Sequence, residues 1–523
     1  MLDLILRNAR ILDGSGNPWF RGDLAIQGSQ IVSVGQVPTE GAARTIDCGG
    51  QIVSPGFIDM HTHSDAMLLA EPQHIGKIFQ GVTTELLGQD GLSYAPVTPE
   101  TLQLLRRHLA ALNGNPDIGW DWTSVASFLA RFDRHVSTNV AFLVPHCAVR
   151  VQVLGMQDRL ATPAELDQMC QLVDEGMADG AVGFATGLDY TPQFWSDTNE
   201  LVEICKVVAR RGGIYVTHMR SSLGDKVFDP IKEAIEIGRK SGVKVHLSHQ
   251  RGDAVGKPHG PRDILRLYEQ ARAEGVDLSY DNYPYTRGSS LLHSRLPAWT
   301  HVGGPDALVA RLKDPGQRAR IETELEAAGN PWDQYTMASI TGEGRQSFEG
   351  WSVAEAANEA GKPPATYVCD ILVETDLGVS FVSPSTSSEE SLDAMLAHEL
   401  ATHGSDGLCI GSKRHPRTFG SFARVLGHFV RERKIMPLAD AVRKMTSAPA
   451  LRLGLKDRGL VREGFVADLA VWDDQAIADR STYENPLVTA QGVSHVLVSG
   501  ELVLDNGRHT GATPGRALKP LLR

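Results

Sequence analysis

Gly56-Phe57-Ile58-Asp59-Met60-His61-Thr62-His63 is a brief apolar run that ends in an acid and then in two histidines one residue apart. Alternate residues of an extended segment point to the same side, so both imidazoles can reach one ion. An H-x-H pair alone is frequent by chance. Its weight comes from recurrence of the same texture downstream. Apolar runs at 83–87, 140–144, 181–184, 214–217, 243–247 and 276–280, and a less apolar one at 401–405, alternate with helical stretches. That alternation is the pattern of βα units around a parallel sheet, and eight such units close a TIM barrel.

Outside the barrel the texture changes. Residues 2–12 and 23–34 are short apolar segments split by the turn signal Asp13-Gly14-Ser15-Gly16-Asn17-Pro18, and 467–472 and 495–504 repeat this style before Asp505-Asn506-Gly507. Both ends therefore read as one all-β unit. The expected organisation is an α/β protein: a distorted (β/α)8 barrel over 56–449 and a small β-sandwich from 1–55 plus 450–523. The stretch between the seventh and eighth runs, about 288–400, exceeds one crossover and is read as an inserted capping subdomain. Within it Ser387-Ser388-Glu389-Glu390 is an S-x-x-E capping box that starts a helix.

The chain has 523 residues, a formal charge of −12 and 42% apolar residues, enough to bury a large core without disulfides. Its acidity disfavours nucleic acid and anionic membrane surfaces, which select Lys and Arg. No run of about 18 apolar residues is present to span a bilayer. The N-terminal Met1–Arg7 segment reads as a strand rather than a signal peptide. Six scattered cysteines without a CxxC pair fit a reducing compartment, and the expected location is the cytoplasm. No feature of the sequence speaks to oligomeric state.

Chemistry in such a barrel gathers at the C-terminal strand ends. Those ends carry His61 and His63, then Gln89-Asp90, His218, His249 and Asp406. Histidines and carboxylates form a borderline N/O set suited to Zn²⁺ or a similar divalent ion, one or two in number. A bound ion polarises a carbonyl and lowers the pKa of water, which makes hydrolysis of an amide feasible. Asp406 is the expected catalytic residue, moving a proton from water to the departing amine, and Asp90 mainly a ligand. His146, His246, Asp59 and Asp65 read as structural or orienting groups. A second polar set, Tyr190, Arg251, Tyr283 and Arg417, suits a substrate carboxylate, which arginine binds in a bidentate fork. Arg295 and Lys257 are weaker members of it. No G-x-S-x-G elbow or Walker loop competes.

Pro55–His63 resembles the metal-binding opening of the amidohydrolase superfamily, metal-dependent hydrolases on a distorted TIM barrel. The segments Thr186-Gly187-Leu188-Asp189-Tyr190-Thr191-Pro192, Thr217-His218-Met219-Arg220, Leu247-Ser248-His249, Tyr283-Pro284-Tyr285-Thr286, Gly404-Ser405-Asp406-Gly407 and His415-Pro416-Arg417 narrow the resemblance to N-acyl-D-amino-acid deacylases. It runs in order from Leu2 to about Leu504. The resemblance implies hydrolysis of N-acyl-D-amino acids to a carboxylate and a free D-amino acid. It assigns His61 and His63 to one metal position, His218 and His249 to the other, and Tyr190, Tyr283 and Arg417 to the α-carboxylate. The D preference rests on it alone. This chain departs from it twice: Asp90 replaces a cysteine ligand in Gly88-Gln89-Asp90-Gly91, and Arg251 replaces a lysine. A carboxylate is harder than a thiolate and can bridge two ions, so this exchange leaves one or two ions, and their identity, open.

The alternative within the superfamily is a cyclic-amide hydrolase of the hydantoinase or dihydroorotase kind, which uses a carboxylated lysine after the fourth strand. Gly183-Phe184-Ala185-Thr186-Gly187 holds no lysine. A deaminase is separated from a deacylase by assaying ammonia against free amino acid. A barrel kept only as a binding scaffold would have lost ligands, whereas the full set is present here.

Overall fold

The computed structural model describes residues 2–37, 41–223, 225–252, 259–342 and 344–520. Eight parallel strands form its centre: β1 (Phe57–Asp59), β2 (Val82–Leu87), β3 (Asn139–Pro145), β4 (Gly183–Gly187), β5 (Ile214–His218), β6 (Lys244–Leu247), β7 (Leu278–Asn282) and β8 (Ala401–His403). They hydrogen-bond in sequence order from β1 to β8. Every residue of β2, β3 and β4 is buried, as strands covered on both faces require. Closure between β8 and β1 rests on Met60 N–H donating to His403 O (3.1 Å) and on the parallel pairing of Thr62–His63 with Gly407–Leu408 just beyond.

The crossover helices start where sequence chemistry places them. Pro163–Asp179 begins at a Thr162/Glu165 capping box with Pro at its first position, and Thr198–Arg210 begins at Asp197, which accepts from Glu200 N–H. The largest core, between barrel and helices, includes Phe142, Val144, Phe184 and Tyr215, all fully buried.

Strands from both chain ends share one nine-stranded sheet that branches at Leu2–Ile11. Leu6, Ile26, Leu469 and Leu497 are buried in its core. Between β7 and β8 the chain builds an antiparallel sheet with Val379–Ser385 between Arg287–Leu291 and Thr336–Ile340. Helices Gly304–Lys313, Pro315–Ala327 and Pro364–Glu374 bury Leu308, Leu312, Ile321, Val368 and Leu372 with Phe381 in a core of their own. The helix expected at the Ser387–Glu390 box runs Glu389–Ala397, but its cap is Ser388, which accepts from Ser391 N–H (3.1 Å). The start is therefore one residue later, and the Glu390 side chain does not close a box.

Candidate metal centre and substrate cavity

The C-terminal ends of the barrel strands meet at a cavity of about 690 Å³. Asp59 Oδ1, at the end of β1, accepts from the backbone N–H of both His61 (3.1 Å) and Ser405 (2.8 Å), so one carboxylate sets the direction of both strand-end loops. Lys77 is completely buried and donates to Asp59, Thr62 Oγ1 and Ser405 Oγ, tying the same two loops together. Asp65 accepts from Gly88 N–H (2.9 Å) and Ser93 Oγ (2.6 Å) and holds the turn that carries Asp90.

Asp90, His249 and Asp406 have φ of 54°, 40° and 50°, the left-handed region that costs non-glycine residues about 1–3 kcal/mol and clusters at functional sites. Close approach is made room for by glycine at two places. A Cβ on Gly187 would lie 2.3 Å from Asp90 O, and one on Gly404 would lie 2.4 Å from His61 Cβ.

Asp90 is the hub. Its Oδ1 lies 3.5 Å from His61 Nε2 and 3.7 Å from His249 Nε2, and its Oδ2 lies 3.7 Å from His63 Nε2 and 3.4 Å from His218 Nδ1. Two groups, His61–His63–Asp90 and Asp90–His218–His249, each bring their ligand atoms within 4.8 Å of one another. Among the described residues, both ring nitrogens of His61, His63 Nδ1 and Asp90 Oδ1 are buried without a hydrogen-bond partner. Buried polar atoms of that kind are costly unless something satisfies them, and an N/O donor set around one carboxylate fits a divalent cation. Burial opposes ionisation of Asp90, but the His218 and His61 charges hold its carboxyl well below the usual range.

Asp406 sits across from Asp90, its Oδ1 3.2 Å from His63 Nε2 and 3.6 Å from His61 Nε2, its Oδ2 2.6 Å from Arg417 Nη1. Against burial, the Arg417 charge and then His61 keep it ionised far below the ordinary carboxylate range. Arg417 is fully buried, and its Nε and Nη2 have no hydrogen-bond partner among the described residues. Its guanidinium lies 4.6 Å from the Tyr283 ring centre and that of Arg251 lies 5.1 Å from the same ring. Arg251 donates to Tyr283 Oη and to Thr386 Oγ1 from the inserted segment. Burial, then the neighbouring Arg417, pulls Arg251 down to about 10. Tyr190 packs on His218 (ring centres 5.0 Å apart) and its hydroxyl pairs with Ser290 Oγ at 3.1 Å. One buried and one half-buried guanidinium against one carboxylate leave this wall positive, a receptor for an anion.

The structure thus gathers His61, His63, Asp90, His218, His249, Asp406, Tyr190, Arg251, Tyr283 and Arg417 around one cavity; Arg295 lines its outer part. Lys257 lies outside the described residues. His146 pairs with Glu200 (2.8 Å), away from these ligands, and His246 with Ser279 and Asp281. Three further residues belong here. Asp281 lies 3.5 Å from His61 Nδ1 and accepts from His249 N–H at 2.9 Å. Asp189 lies 3.3 Å from His218 Nε2. Lys77 holds the loops. Asp281 escaped the sequence because β7 reads as ending at Tyr280, whereas it runs to Asn282. Asp189 lay within a quoted motif without a role, and nothing in the sequence marks Lys77.

A family model described as the amidohydrolase family matches residues 44–504, and the chain belongs to that family. Within it, the chain is similar to deacylases of N-acyl-D-amino acids. It is 33% identical to the D-aminoacylase of Alcaligenes xylosoxydans xylosoxydans, over 99% of this chain and 97% of that protein. A D-aminoacylase structure described for its binuclear metal centre, with one-metal activation and second-metal attenuation, superposes with a TM-score of 0.82 at 31% identity, covering 99% of this chain and 100% of that one. N-acyl-D-glutamate deacylase from Bordetella bronchiseptica, solved with zinc and a phosphonate mimic of the tetrahedral intermediate, superposes with a TM-score of 0.83 at 30% identity, covering 99% of each chain.

Proposed function

We propose that the chain hydrolyses the amide bond of N-acyl-D-amino acids, releasing a carboxylate and a free D-amino acid, with zinc as its metal. The observation that carries this reading is the placement of Asp90 between two histidine pairs, 3.4–3.7 Å from each, opposite a carboxylate–arginine pair at one cavity. His61, His63, Asp90, His218 and His249 would hold the metal, and the two oxygens of Asp90 suit it to bridge two ions. When bound, a divalent ion supplies a Lewis acid that polarises the scissile carbonyl and lowers the pKa of water.

The protein's own groups do the rest. Asp406, ionised and facing the histidines, accepts the proton of the attacking water and passes it to the amine nitrogen as the C–N bond breaks. Arg417, Arg251, Tyr283 and Tyr190 hold the α-carboxylate and so fix which face of the amide meets Asp406. The barrel over 56–449 carries the chemistry, the sheet from 1–55 and 450–523 buttresses it, and the 288–400 segment covers the cavity through Ser290, Ser383 and Thr386. Six free cysteines, five of them buried, support a cytoplasmic location, and among the described residues no helix is long and apolar enough to cross a membrane.

The test is hydrolysis of paired N-acetyl-D- and N-acetyl-L-amino acids by protein whose metal content has been measured by elemental analysis. D-amino acid release by zinc-loaded protein is expected. Zinc-loaded protein that turns over neither enantiomer, or that releases ammonia instead of amino acid, would overturn the reading.

A further inference from the structure

A second cavity of about 200 Å³ adjoins the first, with Leu92, Asp189, Tyr190, Phe194, Leu291 and Ser294 lining both. It lies between barrel loops and the inserted segment, and its inner wall is three buried histidines: His108 at the end of helix Pro99–His108, His293 in the turn Leu292–Arg295, and His301 in the turn Ala298–His301. The rings stand in series, 5.6 Å between the centres of His108 and His293 and 5.6 Å between those of His293 and His301. None of them belongs to the two metal-ligating groups.

Their hydrogen bonding is unequal. His108 Nε2 lies 3.0 Å from Thr191 O and His301 Nε2 lies 3.2 Å from His293 O. A carbonyl only accepts, so each Nε2 carries the hydrogen. His293, 3% exposed, makes no well-formed hydrogen bond at either ring nitrogen among the described residues, its one backbone neighbour there being that of His108. Burial pulls His108 down to about 4 and His301 to about 3, and holds His293 well below its usual value, so the wall is uncharged near neutrality. A neutral imidazole offers one N–H and one lone pair. The remaining lining joins five apolar residues, Leu92, Phe194, Leu291, Leu296 and Ala298, to Tyr190, Thr191, Ser294 and the carboxylate of Asp189, which disfavours an anionic group. An apolar cavity of about 150 Å³ takes benzene, so about 200 Å³ leaves room for a ring with one small polar substituent.

Resting on the deacylase reading, we propose that this side pocket is a substrate subsite for an uncharged, ring-sized group with one hydrogen-bonding atom, such as a phenol. His293 is its specificity-determining residue. The ring can arrive as the side chain of the D-amino acid or as an aromatic acyl group, and the substrates below separate the two.

The experiment measures kcat/KM on metal-loaded full-length protein for N-acetyl-D-alanine, N-acetyl-D-phenylalanine, N-acetyl-D-tyrosine and N-acetyl-D-aspartate, and for N-benzoyl- and N-(4-hydroxybenzoyl)-D-alanine. The expected result is a preference of roughly tenfold for the hydroxylated member of one aromatic pair, the size of one hydrogen bond, with the aspartate derivative poorer than either. In His293→Phe that ratio falls to about one, and the pair that shows it identifies the source of the ring. The wild-type ratios stand without the variant. Turnover of N-acetyl-D-alanine with no preference in either pair, or with the aspartate derivative ahead of the aromatic ones, overturns the proposal and leaves the deacylase reading intact. No hydrolysis of any of the six overturns both.

Discussion

Asp406→Asn keeps the shape of the side chain and removes its charge and its ability to hold a proton. Loss of the base should lower kcat by about 10²–10⁴-fold, which is about 2.7–5.4 kcal/mol at 1.36 kcal/mol per tenfold. The effect on KM has a sign set by the structure. Asp406 Oδ2 occupies the buried Arg417 at 2.6 Å; opposite charges about 4 Å apart at an effective dielectric of 20 attract by about 4 kcal/mol. Removing that competitor makes the guanidinium fully available to the substrate carboxylate, so KM stays level or falls while kcat collapses. Steady-state kinetics on an N-acetyl-D-amino acid, with metal content matched between variant and wild type, reads both parameters. Adding Arg417→Met should raise KM without restoring kcat. A kcat within tenfold of wild type, or recovery of kcat in the double variant, would refute the reasoning, because Asp406 would then serve only to neutralise Arg417.

Arg417→Ala should lower kcat/KM about 10²-fold for substrates with a free α-carboxylate, the scale for truncating one partner of a buried charge pair, and much less for their amides; equal losses would argue against a carboxylate clamp. Lys77→Met strands the fully buried Asp59 and should cost about 3–5 kcal/mol, read as a lower melting temperature and reduced metal retention, with partial recovery in Lys77→Met/Asp59→Asn. An unchanged melting temperature would contradict the tie. The buried pair His74–Glu85 (2.8 Å) contributes one part of the pH dependence of stability. Against burial, Glu85 raises His74 to about 10, and against burial, His74 lowers Glu85 to about 2. Its contribution is full between the unfolded values of about 4.5 and 6.5. It fades as pH rises from 6.5 through 10, when His74 loses its proton, and as pH falls from 4.5 through 2, when Glu85 gains one. His74→Asn should flatten the alkaline limb of melting temperature against pH; an unchanged limb would place the titration elsewhere.

The barrel was legible because burial on both faces demands continuous apolar runs, and these survive reading without neighbours. Ala401–His403, short and with two of its three residues polar, was the weakest of the eight runs, marked mainly by its place where an eighth strand was due. Errors of two residues at strand ends were enough to lose Asp281, since the residues that matter lie at the ends, where periodicity stops.

Local pattern was sufficient for the class of fold, the all-β character of both termini, and the residue types available at each strand end. Whether Asp90 faces both histidine pairs, whether Asp406 is paired with Arg417, and whether His293 is left without a well-formed hydrogen bond depend on distances between residues from 11 to more than a hundred positions apart. Secondary structure follows from interactions within a few residues of the chain. A site assembled from seven separate loops follows from how the barrel closes, and closure is a property of the packed whole.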